Sequence, residues 1–168
     1  KALLLSTVAF IEKDPSYSFV AGRIFLQKIY KEILNVSVHD DDMNKYYRQI
    51  FVQNIKNAVK SGLLDPRMSE FNLDTLSKGL DINRDNLLQF IGLQTLYERY
   101  FIKEEDTRME TPQAFWMRVA MGLALNEKPQ EREKYALEFY EVISTLRFVP
   151  STPTLFHSGT THAQLSSC

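Results

Sequence analysis

The residues best suited to chemistry lie in the last eighteen positions, which end in the only cysteine of the chain, Cys168. The same segment carries the hydroxyls of Ser151, Thr152 and Thr154 around the rigid Pro153. A thiol can act as a nucleophile or as half of a redox couple, and hydroxyls on a stiff turn can bind phosphate oxygens. The residue types in this segment therefore fit a reactive thiol beside an anion-binding turn. Their spacing alone favours the alternative, a buried cysteine at the start of a core strand.

The order of residues in this segment resembles a known enzyme family. Residues 151–156 read Ser-Thr-Pro-Thr-Leu-Phe, residues 158–160 read Ser-Gly-Thr, and residues 164–168 read Gln-Leu-Ser-Ser-Cys. Without a gap, they are similar to the segment that leads into the active-site barrel of the large (α) subunit of aerobic, class I ribonucleotide reductase. The stretches further upstream that resemble helices of this family are 91–100, 110–119 and 139–144.

The resemblance implies roles for particular residues. Cys168 matches one of the two cysteines that reduce the substrate, with its partner outside this sequence. Thr152 matches a position that contacts the substrate phosphate, and Ser167 matches a substrate-contacting neighbour of Cys168. Residues 1–35 resemble the closing helices of an ATP-cone, in which a lysine near Lys31 can contact the regulatory nucleotide; an ordinary exposed lysine is the alternative.

The function implied is the reduction of ribonucleoside diphosphates to 2′-deoxyribonucleoside diphosphates by a radical mechanism. The family's partners are a small (β) subunit whose metal-radical cofactor generates the radical, a second α subunit, ATP or dNTP effectors, and thioredoxin or glutaredoxin. No cofactor is expected to bind this region itself. A cytoplasmic location fits a chain with one cysteine, which forms no internal disulfide.

Two other functions remain open at this point. A cobalamin-dependent (class II) reductase uses the same barrel and the same redox cysteine, and a radical-relay tyrosine pair downstream would separate the two classes. A non-catalytic helical interaction module is the third hypothesis, and it would be favoured if the natural chain ended at Cys168. We expect a longer protein, because the sequence lacks an initiator methionine and ends on the motif's cysteine.

Composition is that of an ordinary globular domain, with 44% hydrophobic and 24% charged residues among 168. The net charge of −1 gives no electrostatic reason to expect a nucleic-acid or membrane partner. A metal site is not expected at His39 and the acids 40–42, which lack the pattern of a calcium loop. His157 and His162 lack further ligands at zinc spacing apart from Cys168.

Hydrophobic periodicity predicts a mainly α fold: a helical bundle, a short hairpin near 100–108, and an extended C-terminal segment leading into a ten-stranded α/β barrel absent here. The predicted domains are 1–35 (ATP-cone-like), 36–147 (helical) and 148–168 (start of the barrel). The apolar stripes with helical spacing are at 26–34, 47–59, 116–124 and 135–146.

Local signals set the predicted helix boundaries. Thr111 and Pro112 predict a helix start and Gly62 a helix end, and a further helix is expected at 85–99. Pro150 and Pro153 argue against helix after position 147. From Ser151 onward we expect a chain that is poorly ordered or lies across the surface, because its barrel partners are missing.

Overall fold

The computed structural model describes residues 2–35 and 42–167, and this part of the chain is mainly α-helical, as predicted. The α-helices are α1 (Ala2–Val8), α2 (Tyr17–Ile33), α3 (Met43–Lys60), α4 (Leu73–Lys78), α5 (Phe90–Thr95), α6 (Pro112–Ala124), α7 (Arg132–Ser144) and α8 (Thr152–His157). Two 3-10 helices (Pro66–Glu70, Ile82–Leu87) and a π-helical turn (Leu96–Tyr100) connect them. No helix in the described ranges is long and apolar enough to cross a membrane.

The centre of the fold is α6, which is buried on nearly every side. Phe115, Met117, Val119 and Met121 have no exposed surface. A helix that is hydrophobic all round must be enclosed by other elements, and α6 packs mainly against α7. The other large contacts join α2 to α1 and α5, and α3 to α4.

Several predicted boundaries are confirmed. α6 begins at Pro112 directly after Thr111, and α3 ends at Lys60, just before Gly62. The hairpin is present as β1 (Lys103–Glu104) paired antiparallel with β2 (Thr107–Arg108). Both strands lie in the second part of the predicted region 100–108.

The predicted continuous helix at 85–99 is wrong, because the chain forms the 3-10 helix Ile82–Leu87, then α5, then the π-helical turn. Leu88 and Gln89 are extended between the first two. Gly22 of α2 faces this break: a Cβ there would stand 3.2 Å from Leu88 O and 3.2 Å from the nitrogen of Phe90. α2 therefore packs directly against the backbone of this break, and glycine at position 22 permits that close approach.

The prediction for the end of the chain is wrong in its first half. Residues 152–157 form α8, because Pro153 stands at the second helical position, where a missing N–H costs no intrahelical hydrogen bond. Leu155 and Ser158 are buried. Residues 161–164 are exposed, as expected for a chain lying across the surface.

Cys168 lies outside the described residues. So do His39 and the acids at positions 40 and 41, whereas Asp42 is described. Within residues 2–35 and 42–167, no group of three histidine, cysteine or acidic side chains could hold a metal ion.

Candidate functional site

The hydroxyls predicted to bind phosphate lie at the start of α8. Thr152 is the first helical residue and is exposed, and its Oγ1 lies 3.4 Å from Oη of Tyr100. The Tyr100 ring packs against Phe156 of the same helix, with 4.5 Å between ring centroids. Oγ of Ser151 lies 3.3 Å from Oγ1 of Thr154. Thr152 and Tyr100 thus present a pair of hydroxyls at the protein surface.

A second contact fixes the chain that follows. The hydroxyl of Thr154 donates a hydrogen bond to the carbonyl of Leu165 at 3.0 Å. Ser167, which is exposed, lies two residues beyond this bond. The bond therefore returns the segment that carries Ser167 to α8, the helix that carries Thr152.

The turn after α8 is held by hydrogen bonds to two other parts of the fold. The buried Ser158 donates its hydroxyl to the carbonyl of Val119 in α6 at 2.7 Å. On the other side, the N–H of Asp65 donates to the carbonyl of Gly159 at 3.0 Å, and Thr161 Oγ1 donates to Gly62 O at 3.2 Å. The turn is thus held between α6 and the segment that follows α3.

Beneath this turn lies a buried ion pair. Nε of Arg118 lies 2.7 Å from Oε1 of Glu110, and the arginine side chain has no exposed surface. A terminal nitrogen of the same guanidinium donates to the carbonyl of Ser158 at 2.8 Å. Charge-assisted bonds of this kind are the strong ones in a protein interior, so Arg118 ties α6 to the end of α8.

The contact between α6 and this turn leaves no room for a side chain at Gly122. A Cβ at that position would stand 2.1 Å from the nitrogen of Gly159 and 2.3 Å from the hydroxyl of Ser158. Gly122→Ala is therefore expected to lower the free energy of unfolding by about 2–3 kcal/mol, because backbone must move to relieve the clash. Urea unfolding of the 168-residue chain measures this loss.

Gly92→Ala is the matched control, since the nearest atom to its added Cβ is 4.0 Å away. It should change stability by no more than about 1 kcal/mol. Equal effects of the two substitutions would mean that α6 and the turn are not packed as closely as described.

A separate polar cluster is buried where α2, α3, α6 and α7 meet the 3-10 helix Ile82–Leu87. The carboxylate of Asp85 accepts hydrogen bonds from the hydroxyls of Tyr30 (2.5 Å) and Tyr47 (3.0 Å) and from the amide of Gln113 (2.8 Å). The oxygen of the Gln113 amide accepts one from Tyr140 at 2.7 Å. Burial raises the pKa of Asp85 to about 7, and the three donors oppose that rise by stabilising the charged form.

The structure does not bring Lys31, the predicted contact of the regulatory nucleotide, close to residues 151–167. Lys31 is exposed in the last turn of α2, whose main contacts are with α1 and α5. No hydrogen bond or ion pair within the described ranges joins it to residues 151–167.

Sequence reasoning missed the residues that hold the site, notably Arg118 and Glu110. One signal was present: Arg118 is the only charged residue of α6, in a stretch otherwise suited to a core. An isolated charge in such a stretch indicates a buried partner.

The chain shares sequence with ribonucleotide reductases. A family model described as ribonucleotide reductase, all-alpha domain, matches residues 86–163. A ribonucleoside-diphosphate reductase subunit alpha of Chlamydia muridarum is 46% identical over 99% of this chain and 16% of the relative. The subunit alpha of Helicobacter pylori is 36% identical over 100% of this chain and 20% of the relative. A large subunit of Danio rerio is 31% identical over 93% of this chain and 19% of the relative.

These alignments extend the match to α1–α4, which lie outside the residues that the family model matches. The chain therefore spans about one sixth of the length of its bacterial relative from Chlamydia. The names of the relatives give no support to the cobalamin-dependent alternative. The chain belongs to the ribonucleoside-diphosphate reductase large-subunit family, and its residues 86–163 match the all-alpha domain of that family.

Proposed function

We propose that the protein containing this chain reduces ribonucleoside diphosphates to 2′-deoxyribonucleoside diphosphates, and that this region supplies one wall of the substrate site. The observation that carries the proposal is the anchored segment 151–167. It presents the Thr152 hydroxyl at its start and Ser167 near its end, and it returns to α8 through the bond from Thr154 to Leu165.

Each site residue has a distinct part in the proposed reaction. Thr152 donates a hydrogen bond to the substrate diphosphate, and Ser167 contacts the substrate beside the reacting ribose. Loss of the 2′-hydroxyl as water requires two electrons, which Cys168 and a second thiol supply by forming a disulfide. Thioredoxin or glutaredoxin then reduces that disulfide. A small subunit with a metal-radical cofactor supplies the radical that starts the reaction.

The remaining assignments concern regulation and assembly. We propose a second α subunit as partner, ATP or dNTP as effectors, and the cytoplasm as the location. Lys31 would contact the regulatory nucleotide from the region 1–35. The boundaries 36–147 and 148–168 would separate the helical domain from the start of the barrel domain, although the hydrogen bonds of Ser158 and Arg118 tie the last region firmly to α6.

Thr152→Val tests the substrate role in the full-length protein. The substitution keeps the shape of the side chain but removes the donor, and a hydrogen bond to a charged group is worth about 1.5–3 kcal/mol. We expect the Kd for a ribonucleoside diphosphate to rise by about one to two orders of magnitude, as measured by equilibrium binding. Folding should be unaffected, because Thr152 is exposed.

Thr75→Val is the control, because it makes the same change at an exposed position on α4. It should leave the Kd unchanged. A normal Kd for Thr152→Val would remove Thr152 from the substrate site.

A further inference from the structure

We propose that Arg118 is a positioning residue for the substrate site, which it serves by setting where the Thr152 hydroxyl stands. This inference rests on the proposed function. Arg118 does not reach the surface, so its effect must pass through the residues that it holds.

One guanidinium joins the two segments that form the hydroxyl pair. Its terminal nitrogens approach the carbonyl of Ser158 at 2.8 Å and the carbonyl of Leu155 at 3.4 Å, and both carbonyls belong to the end of α8. They also approach the carbonyl of Tyr100 at 3.4 Å. Tyr100 is the residue whose hydroxyl lies 3.4 Å from Oγ1 of Thr152. The same buried side chain therefore contacts the backbone of both elements that carry the hydroxyl pair, α8 with Thr152 and the segment at Tyr100.

The short length of α8 makes this anchoring necessary. The helix has six residues, and helices that short are unstable without tertiary contacts. Its first residue, Thr152, is exposed and gains little from burial. The direction of the helix, and with it the place of the hydroxyl, depends on the contacts at its buried end.

Glu110 completes the arrangement. Its Oε1 pairs with Nε of Arg118, while its Oε2 accepts the backbone N–H of Ile102 at 2.8 Å. The carboxylate thus neutralises the buried charge and fixes the chain just after Tyr100. The pair connects the 100–102 segment, α6 and α8.

An ion pair is a costly way to fill a core. Apolar residues of similar volume often give equal or greater stability, because removing two charges from water is expensive. What a guanidinium adds is a rigid planar fork with five donors in fixed directions. That property suits a residue that holds backbone carbonyls of several segments in one geometry.

A double-mutant cycle in the full-length enzyme tests the proposal. Arg118→Lys keeps the charge and loses the fork, and we expect it to raise the KM for the ribonucleoside diphosphate about tenfold with a smaller change in kcat. In the Thr152→Val background the same substitution should add little, because its effect passes through the hydroxyl that is already missing. A merely structural arginine would lower the amount of folded enzyme and leave the KM of the folded fraction unchanged.

Arg84→Lys is the matched control. Arg84 is a half-buried arginine, with Glu141 at 2.6 Å and the hydroxyl of Ser144 at 2.7 Å, and it has no hydrogen bond to residues 151–167 within the described ranges. Its substitution should leave the KM unchanged. If Arg118→Lys does not fold, Glu110→Gln takes its place in the cycle, since it keeps the shape of the carboxylate and removes its charge.

The outcomes separate this inference from the proposed function. An unchanged KM for Arg118→Lys, or a rise that adds fully to that of Thr152→Val, would overturn the positioning role alone. An unchanged KM for Thr152→Val would overturn the substrate role of Thr152, and the positioning role with it.

Discussion

Cys168→Ser in the full-length protein is expected to abolish turnover with thioredoxin as the reductant, while substrate binding stays within a few-fold of normal. Serine keeps the approximate size of the side chain and its ability to form hydrogen bonds. It cannot form a disulfide, so the proposed reaction would lose one of its two reducing equivalents. The effect should therefore fall on kcat and not on Kd.

Steady-state formation of deoxyribonucleotide and equilibrium binding of a ribonucleoside diphosphate are the two measurements. Ser166→Ala, two residues away at an exposed position, is the control and should retain turnover. Near-normal reduction by Cys168→Ser would show that Cys168 is not a redox residue. The proposed chemistry would then lose its central group.

Helices were predictable from sequence where local signals and packing agree. α6 has a start signal at Thr111 and Pro112 and an apolar stripe that is buried in the fold. α8 is not predicted from the sequence, because a proline such as Pro153 usually argues against helix. At the second helical position the proline ring costs no hydrogen bond, and burial of Leu155 and Ser158 supplies the stabilisation that the sequence alone does not show.

For the candidate site, the sequence predicted the residues that would contact substrate but not the residues that position them. The resemblance to the reductase family indicated Thr152 and Ser167 but not what holds them. Arg118 contacts Ser158, which lies 40 residues further along the chain. Only the tertiary fold brings such partners together, so a single sequence shows at most the unusual charge within α6.

Asp85 illustrates the same limit. Its donors Tyr30, Tyr47 and Gln113 are 55, 38 and 28 residues away and come from three different helices. In the sequence it is an acidic residue among polar neighbours, typical of a surface. In the fold it is a fully buried carboxyl group with satisfied hydrogen bonds, and that environment has a measurable consequence.

The chain is expected to lose stability through Asp85 as the pH rises. In the unfolded chain an aspartate has a pKa of about 3.9, whereas burial raises the pKa of Asp85 to about 7 in the fold. Between these values the folded state binds more protons than the unfolded state, so the free energy of unfolding falls as the pH rises. The contribution is fully present below about pH 4 and is lost above about pH 7, with a total on the order of 4 kcal/mol.

Asp85→Asn should remove this part of the pH dependence, and Asp106→Asn, at the exposed hairpin tip, controls for the loss of a carboxylate. The asparagine amide faces the amide of Gln113, so the substitution costs a hydrogen bond at every pH. The test is therefore how the free energy of unfolding changes with pH, and not its absolute value. Urea unfolding at about pH 5 and about pH 8 should show wild type losing stability relative to Asp85→Asn. Parallel profiles for the two proteins would mean that Asp85 has the same pKa folded and unfolded. The buried cluster would then hold its carboxylate through hydrogen bonds strong enough to cancel the cost of burial.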